Sequence, residues 1–276
     1  MSSGCRCGRS GRGRGSVTAA VRRDDVGPLC RAFCGVLVVA TLLLGTAGTS
    51  SAVGGAAGTL PSPRADNAAP AIPPGVPVAR VRTWLGRALT LRLDALESAA
   101  FAVSVAGNLT AQHRVALDAI ITSDQSGLSD LLAGLEGETT IAELRLTADA
   151  MVLNYRVFSL LTPQVRAVVL ADRKLAKVVT LVALEPSLQT AITTEKSSGH
   201  GAAAAQRIYE KLVALLSAVE TSLGDSTAAL LALTPENDAQ GAQTFAGSAA
   251  TLVAASSQVV SARADVRRIV KILGGA

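Results

Sequence analysis

The sequence predicts an all-α protein, an elongated antiparallel bundle of about five long helices, and three observations carry that prediction. Leucine, valine and alanine recur at spacings of three and four over long stretches from residue 79 to the end, which is one face of a helix each time. Proline and glycine gather at a few points between these stretches instead of punctuating every eight to twelve residues as in an all-β chain. The stretch 144–169 is apolar around most of its circumference, so it is expected to form a central rod surrounded by the other helices.

The chain first has to be divided. Arg6, Arg9, Arg12, Arg14, Arg22, Arg23 and Arg31 precede an apolar run at 32–44, and small residues follow. A basic segment, an apolar segment and a small-residue cleavage site make a secretory signal, with cleavage expected after Ala52 and Ala47 or Ala57 as the alternatives. The run is shorter than the roughly 20 residues that span a bilayer, so membrane contact is expected only in transit. Residues 53–77 are rich in Gly, Ala, Pro and Ser and read as a disordered linker. The helical bundle domain is then 78–276.

Removing residues 1–52 changes the charge. Seven of the 26 basic residues and two of the 21 acidic ones lie there, which leaves 19 of each sign. The formal charge of +5 therefore carries no implication of nucleic-acid binding. Cys5, Cys7, Cys30 and Cys34 are lost as well, so the exported part has no disulfides and relies on its core.

In chain order, the first helix is expected over about 79–106 on Val81, Leu85, Leu89, Leu93, Leu96, Ala100 and Val103, ending at Gly107-Asn108. Trp84 on it reads as a packed or partly exposed aromatic. A second helix follows from Thr110, an N-cap residue, to Glu136. Its seam of Leu117, Ile121, Asp124, Leu128, Leu131 and Leu135 has the alternation of a coiled coil, with Asp124 as the polar exception that sets register or points outward. Thr140 and Glu143 form a capping box at the head of the central helix, which is expected to kink or restart near Pro163. Glu185-Pro186 marks a second break, and 197–201 a loop. A helix from Ala202 on Ile208, Leu212, Leu215 and Val219 leads to Thr234-Pro235, which opens the last helix. Leu252, Ala255, Val259, Ala262, Val266, Ile269 and Leu273 form an unbroken seam along it.

Three further strings stand out beside 108–114, N-L-T-A-x-x-R. They are N-Y-R-V-F-S-L-L-T-P-Q-V at 154–165 with A-D-R at 171–173, L-L-A-L-T-P at 230–235, and A-R-A-D-V-R at 262–267. Together they resemble a group of secreted, alanine-rich helical proteins of actinobacteria, with Y-R-V-x-x-L-x-x-P as the core of the likeness. The resemblance implies export and origin, and brings no activity or catalytic residue with it.

The residues point to no chemistry. The exported part has two histidines, His113 and His200, no cysteine, and neither the Glu-x-x-His pairs of a di-iron bundle nor enough soft ligands for zinc. Neither a nucleophile elbow nor a phosphate loop occurs. The expectation is a non-enzyme without metal or cofactor. His113 and His200 read as surface residues. Asp149, Tyr155, Arg156 and Pro163 are the residues of structural or interaction interest, Tyr155 as a core tyrosine and Arg156 as the partner of Asp149 or of another helix's carboxylate. The expected function is that of a secreted or envelope-associated interaction or structural module, binding a protein or envelope component. The alternative is a carrier that holds a lipid or other apolar ligand inside the bundle.

Overall fold

The computed structural model describes residues 75–198 and 202–274, without the side chains of 237–239. The expected leader, most of the linker and His200 lie outside the described residues. The described residues all belong to one compact unit, Gly48–Ala276.

Among the described residues there are helices and turns and no strand. The order is α1 (Val78–Val105), α2 (Ala111–Gly134), α3 (Ile141–Leu153), a π-helical turn (Val157–Leu161), α4 (Thr162–Val182), α5 (Glu185–Ser197), α6 (Ala203–Leu231), a 3-10 turn (Pro235–Asn237) and α7 (Asp238–Gly274). Five of these helices are long and two, α3 and α5, have 13 residues each. Short connections fold α2 back on α1 and α7 back on α6, and both pairs pack along their lengths.

Local chemistry sets most of the boundaries. The Thr110 hydroxyl accepts the His113 backbone N–H at 3.2 Å and starts α2. At α3 the capping box is complete: Thr140 Oγ1 accepts from Glu143 N, and Glu143 Oε2 accepts from Thr140 N at 2.9 Å. The end of α1 differs from the glycine cap expected there, since Gly107 has no left-handed φ. Its place is taken by Arg114, whose guanidinium donates to the carbonyls of Val103, Ser104 and Ala106. A cation that reaches the last orphan carbonyls satisfies them and complements the negative end of the helix dipole.

The stretch 144–169 is not one rod. Helix α3 runs at the margin of the bundle, with Leu146 71% and Leu153 54% exposed, so that the leucine stripe through 146, 153 and 160 is buried only at Leu160. The chain leaves the helix at 154–156, makes the π turn, and restarts at α4 with Pro163 in its first turn. The interruption expected around Pro163 thus extends back to Asn154. A proline in the first turn forfeits an N–H that has no partner there anyway, so Pro163 begins α4 and the bend precedes it.

The hub is α4. It packs on α6, α7, α1 and the π turn, and it buries Pro163, Gln164, Val165, Ala167, Val168, Ala171, Asp172, Val178 and Leu181. One hydrophobic cluster joins α1, α2, α3, the π turn and the first half of α4 to Leu230 and Leu233 at the end of α6. In α7 every residue of the predicted seam, from Leu252 to Leu273, is buried.

Candidate functional site

Three places concentrate polar or unpartnered features, and each begins as a local consequence of sequence. The first is the start of α2. Asp172 in the middle of α4 is 2% exposed, and its carboxylate lies against the α1–α2 connection. The Thr110 backbone N–H donates to Asp172 Oδ2 at 2.7 Å, and His113 Nδ1 is 2.9 Å from both carboxylate oxygens. A carboxylate beside the free N–H groups of a helix start is favourably placed, and a buried charge needs such donors to be tolerated. His113 is therefore a half-buried partner of Asp172, not the surface histidine expected.

An imidazole held through Nδ1 by a carboxylate keeps its other nitrogen for proton exchange. Nucleophilic chemistry would require a hydroxyl or thiol beside it. The Thr110 hydroxyl next to it is engaged as the N-cap. The geometry describes a joint: Thr110 and Arg114 finish one helix and begin the next, while Asp172 fastens that corner to α4.

The second place is the break at 154–161. The Tyr155 ring lies directly on Gly127 of α2, so close that a Cβ there would sit 2.1 Å from the hydroxyl oxygen and 2.5 Å from Cζ. Tyr155 is thus partly buried and packed against the core. Arg156 is half-buried, and its carbonyl accepts the Leu160 and Leu161 N–H groups at 2.9 and 3.1 Å, which winds the π turn. Asp149 is on the exposed side of α3. Phe158 receives the Arg92 guanidinium of α1 at 5.4 Å from its ring centre. Just beyond, buried Gln164 Nε2 donates to the Leu230 carbonyl at 2.6 Å, tying α4 to the last turn of α6.

A smaller polar knot closes the α2–α3 connection, where Thr147 donates to the Glu138 carboxylate and Arg82 to the Glu138 carbonyl. Sequence reasoning missed Asp172, Gln164, Gly127 and this knot. All but the knot occur in or against strings it had singled out: N-L-T-A-x-x-R meets A-D-R at Thr110–Asp172, and the Gln164 string meets L-L-A-L-T-P at Leu230.

The third place is the outer face of α1. Trp84, Leu91 and Val105, seven and fourteen residues apart, are exposed on it together with Phe101. Such spacing puts them in one line. Over 84–105 that line runs for roughly 30 Å. Among the described residues no three His, Cys, Asp or Glu side chains gather as a metal site would require.

Compared with known protein families, curated proteins and solved structures, the chain matches none of them.

Proposed function

We propose that this chain is an exported, non-catalytic helical module that acts by binding, with the outer face of α1 as its contact surface for a protein or an envelope component. The observation that carries the reading is the line of Trp84, Leu91 and Val105 with Phe101 beside it, large apolar groups left in water by a bundle that had a core in which to bury them. Large apolar groups gathered on one exposed helix face are characteristic of an interaction site, and aromatic residues dominate the energetics of such sites. The leader pattern of basic, apolar and small residues in 1–52 supports export, and an exported chain would meet its partner outside the cytoplasm or in the envelope. The tight joints at Asp172 and Gln164 support a binding role as well, since they hold α1 and its neighbours as a rigid platform.

The test places a photo-crosslinking residue at position 101 in producing cells and compares medium with envelope. A discrete crosslinked species that disappears with Leu91→Asp supports the reading. A protein that stays free at every growth stage sinks it. Extra mass of a bound lipid in the native mass spectrum would replace it with the carrier reading.

A further inference from the structure

Helix α7 carries a second apolar face, and its charge pattern says what covers it. Between Asp238 and Arg263 the chain has no Asp, Glu, Lys or Arg at all. One side of this segment is committed to the bundle through Leu252, Ala255, Val259 and Ala262. The opposite side is in water: Val253 is 73% and Val260 66% exposed, with Ala246, Ala250 and Ser257 exposed alongside them. Helices of a soluble bundle normally show charge to solvent, and this one shows none for roughly 35 Å.

The charges lie at the two ends and are of opposite sign. Arg263, Arg267, Arg268 and Lys271 occupy the C-terminal end, and Arg268 is paired with an acid of the same helix, Asp265 at 3.3 Å. Arg173, Lys174 and Lys177 of α4 add to them, and the Lys177 ammonium is held below its usual range by burial and then by Lys174, Arg173 and Arg263. The other end begins at exposed Glu236, and Asp225 is exposed on the last turns of α6 that lead into it.

We propose that a second copy of this chain covers this face, α7 against α7, antiparallel about a twofold axis at Val253. An isologous contact requires that every residue meet its mirror partner along the helix. With Val253 at the axis, Val260 meets Ala246, and Lys271 falls at the level of Pro235, one residue from Glu236 of the other copy. The small side chains at 246, 250 and 257 let the two helices approach closely. The basic end of each copy meets the acidic end of its partner, which relieves the crowding of like charge around Lys177.

A membrane is the competing occupant, since Gln240–Gly274 is long and apolar enough to cross one and only 22% of its apolar window is buried. Two features favour the second copy. The seam from Leu252 to Leu273 is already spent on the bundle, so insertion would require unfolding it. The Arg and Lys residues of the C-terminal end fall within that same segment. The contact of two such helices is at the small end of specific interfaces, so the dimer is expected to dissociate on dilution. This pairing is independent of the α1 reading, which it neither needs nor supports.

The experiment is sedimentation equilibrium of the full chain over a concentration series, in low and high salt, with circular dichroism as the check on folding. Expected are a reversible dimer weakened by salt, loss of at least about tenfold in affinity with Val253→Asp, and weakening with Lys271→Glu that is reversed by adding Glu236→Lys. Position 253 is on the surface, so its variant remains folded. A chain that stays monomeric at the highest concentration overturns the proposal, as does a dimer indifferent to Val253→Asp. Flotation with vesicles of anionic phospholipid that depends on Val253 would also overturn it, in favour of the membrane.

Discussion

His113 Nδ1 is equidistant from the two carboxylate oxygens of Asp172, 2.9 Å from each, although 59 residues separate them in the chain. Their meeting fixes the corner between α1 and α2 onto the hub helix, with the Thr110 N–H as the third member. Removing the carboxylate strands two donors in a place where water has little access. Asp172→Ala is therefore expected to cost about 2–4 kcal/mol in urea unfolding, and Asp172→Asn, which keeps an acceptor, distinctly less. Equal losses for both variants would mean that the carboxylate's charge, and not its acceptor geometry, holds the corner.

Gly127 in α2 exists for Tyr155. An alanine there gains about 1 kcal/mol in helix propensity, but its Cβ would have to occupy space 2.1–2.6 Å from three atoms of the tyrosine ring. Overpacking of that kind costs about 1–3 kcal/mol, so the steric loss wins and Gly127→Ala is destabilising. In a Tyr155→Ala background the ring is gone and the propensity gain remains. The same substitution should then stabilise, and a double-mutant cycle by thermal denaturation reads the change of sign.

The Arg114 fork is expected to be intolerant of lysine. Its two terminal nitrogens reach three carbonyls at the end of α1, Nη1 those of Val103 and Ser104 and Nη2 that of Ala106. A lysine ammonium is a point donor on a flexible stem and cannot span them. Arg114→Ala should lower stability by about 1–2 kcal/mol, and Arg114→Lys should recover less than half of that. Amide exchange in the last turn of α1 would locate the fraying.

What could be read from the sequence and what could not follow from how far each interaction reaches along the chain. The caps at Thr110 and Thr140 act over three residues, so their side chains announce them. The seam of α7 is a periodicity, and periodicity survives without knowledge of the partner. The stripe through Leu146, Leu153 and Leu160 misled for the same reason. Spacing shows that residues share a face, but whether the bundle covers that face depends on helices elsewhere in the chain. Gln164 to Leu230 spans 66 residues and Thr110 to Asp172 spans 62, and neither leaves a local trace beyond polar residues among apolar ones. Of the residues singled out by sequence, Tyr155 and Pro163 sit at the break, Arg156 winds its turn, and Asp149 is at the surface. The polar residue that the seam of α2 flagged most plainly, Asp124, has an environment that makes a prediction of its own.

Asp124 is half-buried in α2, and burial pushes its carboxyl up to about 6 from an ordinary 3.8. The folded state therefore holds this proton more tightly than the unfolded chain does. Its contribution to stability is fully present below about pH 4 and is lost as pH rises to 6, so between these values this group makes the protein less stable with increasing pH. Discounted for partial exposure, the effect is about 1 kcal/mol. Glu185, raised by burial and by Glu220, pulls in the same direction. Exposed Glu143, lowered by its hydrogen bonds to Thr140 and Thr139, pulls the other way only as pH falls below the ordinary glutamate range. Asp124→Asn isolates the one group. It should raise the urea midpoint at pH 7.5, leave it nearly unchanged at pH 4, and flatten the profile between. An unchanged slope in the variant would show that the carboxyl at 124 titrates alike in the folded and unfolded chain, and that this seam position is open to water.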